Sequence, residues 1–207
     1  MKYPEIRIRY NQLFTDQISR PLNELWGEDE SSMLGPEGCE KIAESYRNAW
    51  QPYEKKIIKA MGNTLGLSFR QNIIDVHIAP WMHAFSDPMM VGIIFKPDRF
   101  VEILTHEMLH RLLTDNNESS YDTEYTDEWA KLFGSEHSWN TLVHIPVHAV
   151  FQAIFDNKLQ EPERTKHDKK ICERLPDYNA AWKYVEKAGY KEIIEKLRES
   201  YKKLSES

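Results

Sequence analysis

A chain of 207 residues, 41% hydrophobic and 12% aromatic, is long enough to bury a substantial core as one domain with at most a small appendage. Its net charge of −6 and lack of a basic patch argue against a nucleic-acid partner. No run approaches the roughly 20 apolar residues of a membrane span, so no membrane partner is expected.

The opening residues, MKYPEIRIRY, lack the apolar core of a secretion signal. Cys39 and Cys172 form no CxxC, which argues against a disulfide framework or a zinc ribbon. They read as reduced, structural thiols of a cytoplasmic protein. From residue 157 onward there are 13 Lys or Arg against 10 Asp or Glu, and before it 14 against 23. The front of the chain is therefore acidic and the tail mildly basic, with alternating signs that suit a solvated helix face.

In chain order, EIRIRY at 5–10 alternates apolar and polar residues and predicts a short edge strand. Residues 11–30 read as irregular. From Pro36 to Leu65, Ile42, Tyr46, Trp50, Tyr53, Ile57, Ile58 and Met61 recur at helical spacing. Pro52 should kink or split that helix. The period then changes: Asn72–Ile78 and Met89–Phe95 read as strands, with Pro80 between them. His77 and His83 flank this turn and are more readily explained as structural than as catalytic residues.

Phe100–Asn116, FVEILTHEMLHRLLTDN, contains a complete H-E-x-x-H in His106, Glu107 and His110. The flanking residues are good helix formers and include no Gly or Pro. On a helix, His106 and His110 at i, i+4 share a face and can reach one metal ion. Glu107 lies about 60° around the helix from His110. It can address a water at that metal without being a ligand.

After this helix, residues 115–134 are acidic and read as a solvated connection with a short helix near 126–133. Trp139–Asp156, WNTLVHIPVHAVFQAIFD, is almost wholly apolar apart from His144, His148 and Gln152 at every fourth position. A helix of this composition should be buried, and imidazoles on it need partners. A metal held by His106 and His110 would be one. The remainder reads as three helices: 163–174, a second capped by Asp177 and ending at Gly189, and 191–204. This tail suits packing or a lid rather than chemistry.

The H-E-x-x-H segment resembles the active-site helix of the zincin metallopeptidases, in which two histidines bind zinc and the glutamate polarises the attacking water. The metzincin extension fails, because Leu113 and Asn116 stand where its glycine and third histidine belong. A gluzincin-like protein is the nearer resemblance. It implies an α+β fold, mostly helical, with a small mixed β-sheet packed on the HExxH helix. Residues 1–160 would form the catalytic domain, with the HExxH helix at about 98–115 and a third-ligand helix at about 140–156. Residues 161–207 would be a helical extension packed on the same domain.

The resemblance also implies one Zn2+ per chain, Glu107 as general base, and a peptide or protein substrate. It makes Met89–Phe95 the sheet edge that pairs with substrate, with Gly92 allowing close approach. A tyrosine or histidine from the tail or from 77–83 would stabilise the oxyanion. Candidates for the third ligand are Glu124, Glu128, His137, His144 and His148. His144 is favoured, with His148 supporting it from one turn away. Pro146 between them keeps His148 as the alternate ligand. A histidine in this place departs from the gluzincin pattern. The alternative is a silent or latent zincin-like domain that binds a protein or peptide.

Overall fold

The computed structural model describes residues 3–21, 34–80, 83–93, 96–116 and 124–206. It is an α+β chain, mostly helical, with one small mixed sheet. Among the described residues no helix is long and apolar enough to cross a membrane.

The chain divides into two compact units, Lys2–Lys55 with Gln71–Met108, and Lys56–Arg70 with Leu109–Ser207. The division crosses two continuous helices, at 55/56 and 108/109, and the connection at 70/71. Residues 161–207 belong to the same unit as the apolar helix.

The first unit holds the sheet. Strand β1 (Glu5–Tyr10) runs parallel to β2 (Ile73–Ala79), which runs parallel to β4 (Met89–Gly92). The two-residue β3 (Phe85–Ser86) closes the order β1-β2-β4-β3 against β4 in the antiparallel sense. β1 is an edge, as its alternation predicts. β4 is not. It lies between β2 and β3, so the expected substrate-pairing edge is covered over Met89 and Met90 by Ser86 and Phe85. β4 also ends at Gly92, and residues 94 and 95 of the expected strand lie outside the described residues. All four β4 residues are buried, which suits a core strand covered on both faces.

Residues 12–21 are helical rather than irregular, and residues 22–30 of that expectation lie outside the described residues. Asn11 caps a short helix α1 (Gln12–Phe14), its side chain accepting from the Phe14 amide, and a π-helical turn continues over Thr15–Ser19. Phe14 and Ile18 pack on buried Ala79 and Met90. The long helical pattern splits at Pro52 into α2 (Pro36–Trp50) and α3 (Glu54–Leu65). Proline removes a backbone donor at the break. Helix α2 buries Cys39, Ala43, Tyr46 and Trp50, one stripe at helical spacing. Ile42 remains only half-buried.

Helix α4 (Pro97–Asp115) carries the H-E-x-x-H. Its Phe100 stacks on Tyr46 with ring centroids 4.2 Å apart, and the Tyr46 hydroxyl donates to the Gly92 carbonyl at 3.2 Å. Helix α2 thereby ties the start of α4 to β4.

In the second unit, α5 (Glu124–Phe133) precedes α6 (Trp139–Gln152), which continues as a π-helical turn over Ala153–Leu159. Every residue of α6 from Thr141 to Phe151 is buried, as its apolar composition requires. Pro146 lies inside α6 and does not start it. Helices α7 (Pro162–Cys172), α8 (Pro176–Ala188) and α9 (Tyr190–Glu206) follow. They bury Trp182, Val185, Ile193 and Leu197.

Asp177 does not cap α8. Pro176 occupies the first turn, and extended Leu175 is the cap residue. Asp177 instead accepts from the Ser138 hydroxyl at 2.6 Å and the Asn140 amide at 3.3 Å, at the start of α6. Helix α8 ends where expected, at Gly189, whose φ of 85° is a conformation that glycine adopts without strain.

Candidate metal centre

The site rests on two helices. Helix α4 continues unbroken from Pro97 to Asp115, so His106 and His110 lie one turn apart on one face. Its C-terminal end is held by three hydrogen bonds from two segments. The Tyr201 hydroxyl donates to the Leu113 carbonyl at 3.1 Å, the Asp115 carboxylate accepts from the Arg70 amide at 3.2 Å, and the Asn116 amide reaches the Ser68 carbonyl at 2.9 Å. These bonds fix the axial position of the helix at the level of His110.

Helix α6 presents His144. Ser138 caps this helix by accepting from the Thr141 amide at 3.1 Å, and Asp177 holds Ser138 in turn. The His144 ring stands edge-on to that of His110, with centroids 4.8 Å apart at 83°. Ligand atoms of His106, His110 and His144 all lie within 4.8 Å of one another. His144 Nδ1 donates to the Asn140 carbonyl at 2.6 Å, because a carbonyl can only accept. In a neutral ring this leaves Nε2 as the nitrogen with the lone pair. Histidine ligands are oriented in this way in metal sites generally.

Burial sets the charge state of the group. The pKa of His110 is lowered to about 3, chiefly by burial and then by the neighbouring His144. That of His144 falls to about 4, again chiefly through burial, which the Asn140 carbonyl and Asp177 partly oppose. Both rings are thus neutral, the form that binds metal. Glu107 retains some solvent-facing surface, yet it is packed closely enough that burial raises its carboxyl to about 8. A cation at the adjacent imidazoles would favour the ionised form.

The donor set fits a zinc-class ion. Three imidazoles suit zinc and its neighbours rather than magnesium or calcium, which prefer oxygen. Three protein ligands leave one tetrahedral position open, the pattern of catalytic rather than structural zinc.

The other sequence candidates lie elsewhere. His148 is buried one turn beyond His144 and stacks on Trp182, with centroids 4.3 Å apart and planes 9° apart. It falls into a possible metal-ligand group with Asp168 and Cys172, and not into the group of His106 and His110. His137 packs edge-on against Tyr184 with centroids 5.5 Å apart. Its Nε2 lies 3.6 Å from Glu136. Glu128 joins no ligand group among the described residues, and the side chain of Glu124 lies outside them.

His77 Nδ1 is 2.9 Å from the Asn11 amide, and its ring meets Phe14 edge-on, a structural role. His83 is exposed. One residue had no signal in the sequence. Tyr178, on α8, places its ring 3.8 Å from that of His144. Comparison with family models, with curated proteins and with solved structures finds no match to the chain.

Proposed function

We propose that the chain is a zinc-dependent peptidase, with His106, His110 and His144 as the metal ligands and Glu107 as the general base. The observation that carries this reading is the convergence of three imidazoles, from a helical pair and a second helix, with the Glu107 carboxyl next to His106 in the chain and outside that group. A purely structural metal has no need of such a carboxyl at an open position.

Zinc held there supplies Lewis acidity, which makes water a competent nucleophile near neutral pH. Glu107 takes the proton from the attacking water and returns it to the leaving amine. Tyr178, the tail residue against His144, is the candidate donor to the developing oxyanion. His144 is kept in its ligating tautomer by Asn140.

Glu107→Gln tests the reaction. The variant should keep its zinc and lose peptide cleavage by about 10²–10⁴-fold. Cleavage at the wild-type rate would overturn the general-base role.

A second reading has one observation in its favour. The tail helix α8 lays Tyr178 and Trp182 on His144 and His148, so the chain itself covers the third-ligand side. In a latent or purely binding protein this cover would persist. Wild-type and Glu107→Gln protein would then bind a peptide equally and neither would cleave it.

A further inference from the structure

Helix α6 contributes one histidine to each of two clusters. His144 meets the i, i+4 pair His106 and His110 of α4, whereas His148 meets a second i, i+4 pair, Asp168 and Cys172 of α7. In this second group the imidazole, carboxylate and thiol atoms again lie within 4.8 Å of one another. All three residues are buried, His148 at 0%, Cys172 at 4% and Asp168 at 7% exposure.

We propose that His148, Asp168 and Cys172 form a second metal site, for a zinc-class divalent ion, that ties helix α7 to helix α6.

Three features support it. The Cys172 Sγ to Asp168 Oδ2 separation is 3.5 Å, close to the edge of about 3.5 Å expected between two ligands on a tetrahedral ion with bonds of about 2.0–2.3 Å. The donor set is soft enough to select zinc over magnesium or calcium, because it includes a thiolate and an imidazole. The charges also balance: one carboxylate and one thiolate neutralise one divalent ion, which makes a buried site feasible where an isolated charge would be costly. The neighbouring cation, Lys169, is paired with Glu186 at 2.9 Å.

Binding would release the Cys172 thiol proton to solvent, and the thiolate and carboxylate would each donate an electron pair to the ion. Trp182 supports the group by donating its indole N–H to Asp168 Oδ2 at 3.0 Å while stacking on His148. A metal here would hold His148, and with it the turn of α6 that carries His144.

Titration of the metal-free full-length chain with Co2+ tests the proposal. A thiolate ligand gives an intense charge-transfer absorption that imidazole and carboxylate ligands do not. Wild type should bind two Co2+ per chain and show this band. His106→Ala should lose one equivalent and keep the band, whereas Cys172→Ser should lose the band and one equivalent. Asp168→Asn, whose amide oxygen can still accept from Trp182, should lose the same equivalent if Cys172→Ser fails to fold. A wild-type chain that binds a single Co2+ without a thiolate band overturns the second site and leaves the three-histidine site standing. A single Co2+ with the band does the reverse.

Discussion

At Glu107, burial raises the carboxyl to about 8, and a cation at the adjacent imidazoles would bring it back toward the ionised form that a general base requires. The adjacent histidines are shifted the other way by the same burial, so opposite roles arise from one environment. Sequence spacing alone identifies His106, Glu107 and His110, because a helix converts i, i+4 into a shared face. It favours His144 less directly, through the anomaly of polar residues on a greasy helix. Tyr178 is illegible in the sequence, since its place at His144 depends on how α8 packs. Tyr178→Phe separates catalysis from packing. If its hydroxyl serves the oxyanion, kcat should fall by about 10²–10³-fold with metal content unchanged. Unaltered kcat would assign Tyr178 to packing alone.

Among the elements, α6 and its cap carry the site. Ser138 caps α6 and is held by Asp177 of α8. Reading Asp177 as the cap of its own helix misses this, because Pro176 already fills that turn. Ser138→Ala should cost about 1 kcal/mol of stability in chemical denaturation, and an unchanged midpoint would show that the cap contributes nothing. The sheet teaches a related lesson. Alternation makes β1 legible, but β3 has only two residues, too few for any periodicity, so the interior position of β4 could not be read. Helix α1 is short and continues as a π-helical turn, which leaves only the cap at Asn11 as a signal. Asp168 and Cys172 are visible as an i, i+4 pair, yet nothing in the sequence places α7 against α6.

For the molecule as a whole, periodicity makes most of the helices and the strands β1, β2 and β4 legible one by one, while the α+β class comes from the zincin resemblance. Neither reveals that α3 and the tail share a compact unit with α6. Arg198 illustrates the bond involved, donating to the Thr64 carbonyl at 2.7 Å across 134 positions. The tail is therefore part of the core around α6 rather than an ornament on it. Removing residues 161–207 strips Trp182, Val185, Ile193 and Leu197 from that core. The shortened chain should lose cooperative thermal unfolding and its metal together. Retention of both would mean that the tail is dispensable for the fold of α6.

The central claim is that His106, His110 and His144 hold one zinc ion, with Glu107 beside it and not bound to it. Zinc content per chain, measured on purified wild type, His106→Ala, His144→Ala and Glu107→Gln, tests this most directly. Each histidine variant should contain one equivalent less than wild type, and Glu107→Gln should contain as much as wild type. A full zinc complement in either histidine variant, or the loss of an equivalent in Glu107→Gln, would contradict the assignment.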